Sequence, residues 1–130
     1  MIVTNQAPDF TATTVLGDGS IVDDFKLSEN MGEKGTVLFF YPLDFTFVCP
    51  SELIAFDHRL KEFKDRGVEV IGCSVDSQFS HFAWRETPIN NGGIGRVGYP
   101  LVADLTKQIS KDYDVLFGEA VALRGSFLID

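Results

Sequence analysis

Residues 36–52 read Thr36-Val37-Leu38-Phe39-Phe40-Tyr41-Pro42-Leu43-Asp44-Phe45-Thr46-Phe47-Val48-Cys49-Pro50-Ser51-Glu52. The first six form an apolar run of the kind found in a central strand covered on both faces. The last four open an amphipathic helix. Its apolar stripe is Leu53, Phe56, Leu60 and Phe63, spaced i, i+3, i+7 and i+10, with Ile54 beside it. Its opposite face carries Asp57, Arg59, Lys61, Glu62, Lys64, Asp65 and Arg66. Asp57–Lys61 and Glu62–Arg66 have the acid-before-base i,i+4 spacing of surface ion pairs. Gly67 ends the helix, and Val68-Glu69-Val70-Ile71-Gly72-Cys73-Ser74-Val75 is the next strand. A strand, a helix and a strand at this spacing predict a right-handed βαβ unit with parallel pairing.

Working outward, Phe10–Val15 and Ile21–Phe25 flank the turn signal Gly17-Asp18-Gly19 and predict an N-terminal hairpin. Leu27 to Gly35 is polar and glycine-punctuated, a loop or a short helix. Asp76-Ser77 supplies a cap for a helix over Gln78–Arg85. Pro88–Pro100 is a loop containing Gly92-Gly93-Ile94-Gly95, and Leu101–Asp104 is a short strand. Thr106–Tyr113 suits a short helix. Val115-Leu116-Phe117 and Ala120–Leu123 form a second hairpin, and Gly125–Asp130 a last strand. The pattern predicts an α/β fold: a thioredoxin-like sandwich, with a central mixed sheet flanked by helices and an N-terminal β-hairpin.

One domain is expected over residues 1–130. The 45% hydrophobic content and 12 phenylalanines provide for a full core. A net charge of −8 without a basic cluster argues against nucleic acid and anionic membrane surfaces as partners. No apolar run approaches the roughly 20 residues of a membrane span, and no signal peptide is visible at the N-terminus. Two cysteines without a C-x-x-C do not make a disulfide scaffold. A cytoplasmic protein is expected.

Cys49 is the residue with chemistry to offer. A free thiol has a pKa of about 8.5, so only about 3% is thiolate at pH 7. The thiolate is the nucleophile, and the unpaired N–H groups of a first helical turn favour it. Pro50 suits that turn because its missing N–H is not needed there. Thr46 can donate its hydroxyl towards the sulfur or a bound oxygen. Pro42 fixes φ and removes a donor that would otherwise trap the sulfur. The pattern is P-x-x-x-T-x-x-C.

This motif, flanked by Tyr41 and Glu52, resembles that of the typical two-cysteine peroxiredoxins, the family that includes bacterial alkyl hydroperoxide reductase C. The resemblance runs from about Ala7 to the end. It implies a thiol-dependent peroxidase that reduces hydrogen peroxide and organic hydroperoxides through a sulfenic acid at Cys49, in antioxidant defence. It implies a thioredoxin or a dedicated flavoprotein disulfide reductase as reductant, a homodimer assembled into a ring, and no metal, haem or flavin in the chain. Thr46, Pro42 and Arg124 fall on catalytic positions of the family. Arg124 matches the arginine that touches both sulfur and peroxide, with Glu52 orienting it and Tyr41 in support. Family members run past Asp130 to a resolving cysteine, so the chain is expected to be a fragment, with an unusual short form as the alternative. The Gly92–Gly95 loop matches one that accompanies over-oxidation sensitivity in the family, a trait that also requires a C-terminal tyrosine-phenylalanine helix not found within these 130 residues.

Other residues carry plainer expectations. Arg124 stands in an apolar stretch, where a charge is costly unless paired or working. Cys73 is expected in the core and not as a disulfide partner of Cys49. His58 and His81 are expected at the surface or an interface, without metal-ligand spacing. Phe45, Phe47, Phe79, Phe82 and Trp84 are expected to pack subunits together. Two other functions compete with peroxide reduction: a non-catalytic interaction protein, and a thioredoxin-type reductase. Cys49-Pro50-Ser51-Glu52 disfavours the reductase, because it lacks a second cysteine.

Overall fold

A computed structural model describes residues 3–45 and 49–130, with side-chain detail at each of these except Cys49. The apolar run becomes β3 (Gly35–Phe40), and Val68–Ser74 becomes β4. They pair in parallel, with Phe40 opposite Cys73. β5 (Leu101–Ala103) extends the parallel set beside β4. The N-terminal hairpin, β1 (Thr11–Val15) and β2 (Ile21–Lys26), joins antiparallel through β1 to β5. β8 (Gly125–Ile129) pairs antiparallel with β3 on the other side. The result is a six-stranded mixed sheet in the order β2-β1-β5-β4-β3-β8.

Strand alternation divides the core between two faces. Phe39, Tyr41, Val70 and Leu101 meet Leu53 of α1 (Cys49–His58) and Trp84 of α3 (Gln78–Glu86). Ile54, Phe56, Leu60 and Phe63, from α1 and α2 (Leu60–Asp65), pack against the same cluster. Leu38, Phe40, Ile71, Cys73 and Val102 face the other way, towards Ile109 of α4 (Gln108–Asp112). Val115 and Ala122, at the small hairpin of β6 (Leu116–Phe117) and β7 (Val121–Ala122), lie in that second cluster. The sheet therefore stands between Cys73 and the helix that begins at Cys49.

Three local expectations need correction. The helix after Cys49 is interrupted at Arg59, whose φ and ψ are −106° and 7°. The apolar stripe runs on through the break: Phe56 stacks on Phe39 at 4.4 Å and touches Phe63 at 6.1 Å. Periodicity reads only that stripe, so the break does not register in it. The expected ion pairs also change. Asp57 accepts from the Gly98 amide at 2.8 Å, while Arg59–Glu62 and Lys61–Asp65 pair at the exposed surface. Such exposed pairs are worth at most about 1 kcal/mol, so a single backbone contact can redirect them.

The third correction concerns α3. Ser77 caps it by accepting from the Ser80 amide at 3.1 Å, as expected. Its buried face, however, is His81, Trp84 and Arg85, while Phe79 and Phe82 point outward. His81 and Trp84 are fully buried, not surface or interface residues. The polar members of that stripe are tolerated because the loops around α3 supply partners. Arg85 donates to the Gly17 and Val97 carbonyls, and the Trp84 indole donates to the Gly92 carbonyl. Gly92 turns there with φ of 87°, and a side chain at Gly93 would overlap the Thr87 carbonyl. The glycine-rich loop thus closes over Trp84.

Candidate functional site

At the C-terminal end of β3 the chain turns through Tyr41, Pro42 and Asp44 towards the first turn of α1, which begins at Cys49. The antiparallel partner β8 starts there too, with Gly125 opposite Phe40. That register places Arg124, one residue earlier, beside the same end of the sheet. Glu52 lies three positions after Cys49, one turn along and on the same helical face. Its Oε2 meets Arg124 Nη1 at 2.9 Å. The side chains are 47% and 36% exposed. A charge that would be costly inside an apolar stretch is thus paired at the mouth of the helix. Pro42 is half-buried at the strand end. Thr46 and Phe47, and the side chain of Cys49, lie outside the described residues.

Beneath this mouth is a buried polar network that sequence reasoning missed. The Tyr41 hydroxyl donates to Asp44 Oδ1 at 2.7 Å. Asp44 Oδ2 lies 2.7 Å from His81 Nδ1, and His81 Nε2 lies 2.9 Å from the Val102 carbonyl. A carbonyl only accepts, so Nε2 carries a proton. The backbone N–H of Asp44 donates to Asp76 Oδ2 at 2.7 Å, which also accepts from Ser74 Oγ at 2.7 Å. The available signals were Asp44 ending an apolar strand and turn, and His81 three residues before Trp84. Neither identifies its partner without the tertiary fold.

Burial by itself pushes the His81 imidazole down. The hydrogen bond and charge of Asp44, the Val102 carbonyl and the charge of Asp76 outweigh it, and the net direction is up. A histidine held up in the folded state stabilises it fully below the unfolded value of about 6.5. That contribution is lost as pH rises through the higher folded value. The difference in urea stability between wild type and His81→Asn should therefore shrink from pH 6 to pH 9. A difference that stays constant or grows would contradict the sign. Burial pushes the Tyr41 hydroxyl well up, with the Asp44 charge adding to the shift, so Tyr41 stays a donor.

Cys73 is fully buried and free. Burial, then the charge of Asp104, pushes its thiol well up, which makes it a poor nucleophile. Among the described residues no cluster of His, Cys, Asp or Glu is arranged to hold a metal, and no helix is long and apolar enough to cross a membrane.

The model of the AhpC/TSA family matches residues 3–130. The chain belongs to the AhpC/TSA family. Within that family it is 60% identical to an alkyl hydroperoxide reductase C of Helicobacter pylori, covering 100% of this chain and 66% of that protein. It is 55% identical to a peroxiredoxin-2 of Macaca fascicularis, over 95% of this chain and 62% of that one. Among solved structures, the reduced two-cysteine peroxiredoxin of Plasmodium vivax superposes with a TM-score of 0.95 at 52% identity. That match covers all of this chain and 67% of the other. The chain thus spans between about half and just under two thirds of the length of the curated relatives it matches. The AhpC/TSA membership and this superposition bear out the thioredoxin-like sandwich and the resemblance to two-cysteine peroxiredoxins.

Proposed function

We propose that this protein is a thiol peroxidase acting on hydrogen peroxide and organic hydroperoxides. The observation that carries this reading is the Arg124–Glu52 pair at the helical turn that Cys49 opens. The Cys49 thiolate attacks one peroxide oxygen. An S–O bond forms as O–O breaks, and the leaving oxygen takes a proton and departs as water or an alcohol, leaving Cys49–SOH. A thiol condenses with the sulfenic acid, releasing water and forming a disulfide, which a second thiol reduces.

Ionising the thiol fully gains only about 30-fold over its free state at pH 7, and a lower pKa weakens each thiolate. Donors aimed at the separating oxygens are needed as well, each worth about 3–4 kcal/mol. Arg124 is the charged donor and Glu52 its orienting partner. Thr46 supplies the hydroxyl, Pro42 keeps a competing N–H away, and Tyr41 holds the strand end. The reductant is a thioredoxin or a flavoprotein disulfide reductase, and the site of action is the cytoplasm, where thiols stay reduced. Consumption of hydrogen peroxide in multiple turnovers with added small thiol tests the reading. Stoichiometric or no consumption would favour the non-catalytic interaction protein.

The reduced protein should also assemble. Phe45, Phe79 and Phe82 are 53%, 69% and 40% exposed, while Trp84 lies beneath them in the core. Covering such rings is worth about 25 cal/mol per Å² of apolar surface. Sedimentation velocity should show species larger than a monomer, and Phe79→Ser with Phe82→Ser should shift them to smaller ones. A wild type that sediments only as monomer would contradict this.

A further inference from the structure

We propose that Asp76 is a positioning residue for the cysteine turn, fastening the main chain at Asp44 to the end of β4. The inference rests on the peroxidase reading for its catalytic consequence, but the clamp itself stands on geometry. β3 ends at Phe40 and the Tyr41 amide still reaches the Cys73 carbonyl at 3.2 Å. Beyond that the chain leaves the ladder, and at Asp44 the backbone N–H donates to Asp76 Oδ2 at 2.7 Å. The same oxygen takes the buried Ser74 hydroxyl at 2.7 Å, and Ser74 Oγ in turn accepts the Asp76 amide at 3.2 Å. Asp76 is therefore locked to the strand end before it grips Asp44.

Asp44 lies five positions before Cys49, so fixing it limits where the helix start can go to about 17 Å of extended chain. On the far side of Cys49, Tyr99 Oη donates to the Leu53 carbonyl at 2.6 Å and Gly98 N to Asp57 at 2.8 Å. The segment is thus fastened at both ends. At Asp44, Asp76 grips the main chain, whereas Tyr41 and His81 hold the side-chain carboxylate. Asp44 and Asp76 also repel each other, since the charge of Asp44 is among the causes raising the Asp76 carboxyl, after burial. The bond, not the charge, is therefore the useful property of Asp76.

Asp76→Ala and Asp76→Asn separate the two. Asparagine keeps an acceptor for the Asp44 amide and drops the charge; alanine drops both. In Asp76→Ala, hydrogen exchange at residues 43–52 should rise at least tenfold with the sheet amides unchanged. Its rate constant with hydrogen peroxide should fall about tenfold. At a fixed ratio of peroxide to small thiol, the sulfinic fraction at Cys49 should fall as well, because a loosened turn offers the sulfenic acid to thiol sooner. Asp76→Asn should stay within about twofold of wild type in all three. Alanine and asparagine behaving alike, exchange rising across the whole sheet, or a tenfold rise in exchange without a slower reaction would each overturn the assignment. A wild type that consumes no peroxide would defeat the peroxidase reading alone. Exchange would then decide the clamp, supported by a local rise in Asp76→Ala and overturned by none.

Discussion

Replacing Cys49 by serine is expected to abolish peroxide reduction, with residual turnover at least about 10³-fold below wild type, as losing a nucleophile typically costs that much or more. Serine matches the thiol in size and suits the start of a helix, so α1 should form and the sheet should keep its order. The hydroxyl does not ionise near neutral pH, and neither the helix N-terminus nor Arg124 can bring it there. Cys73 cannot substitute. It faces the Leu38–Phe40–Ile71 side of the sheet, away from α1, with its thiol pushed up by burial. Rapid-mixing kinetics with hydrogen peroxide, alongside circular dichroism of the variant, check both halves of the expectation. Turnover near wild type would remove Cys49 from the chemistry.

Arg124→Ala should slow the reaction by about 10²- to 10³-fold, the loss of one well-aimed donor. Glu52 is nearly half exposed, so water can cover its carboxylate and the fold should tolerate the change. The informative measurement is the pH profile. Raising the pH restores thiolate, but from a reference near 8.5 that recovers at most about 30-fold. It does not restore a donor aimed at the peroxide. The variant should stay well below wild type at every pH. Full recovery at high pH would restrict Arg124 to tuning the thiol.

The fold was legible wherever one strand or helix face decided it. The run Thr36–Tyr41, the stripe Leu53–Phe63 and the second run Val68–Val75 specify the βαβ centre because burial repeats with the period of the element. The Arg124–Glu52 pair was legible for a different reason. A charge inside an apolar stretch must be paired or working, but it was the resemblance to two-cysteine peroxiredoxins, not the charge, that named Glu52 as the partner. What sequence could not carry was partner identity across distance. His81 looks like a surface residue until Asp44 and the Val102 carbonyl arrive from 37 and 21 positions away. Phe79, Phe82 and Trp84 read alike as interface aromatics, because hydropathy does not record that the Gly92 carbonyl meets the Trp84 indole and the Gly17 and Val97 carbonyls meet Arg85 in the core. Asp76 reads as half of a helix cap, yet Ser77 does the capping and Asp76 holds Asp44.

Where one oxygen atom goes decides which sulfur is the nucleophile. Folded, reduced protein should be given one equivalent of hydrogen peroxide, trapped, digested and read by mass spectrometry. The oxygen should be found on the peptide containing Cys49, as a trapped sulfenic acid, with Cys73 still a free thiol; a second equivalent without added thiol should carry the same sulfur on to sulfinic acid. Oxidation centred on Cys73, or a Cys49–Cys73 disulfide formed in high yield from the folded chain, would contradict the assignment of the nucleophile and the sheet that separates the two sulfurs.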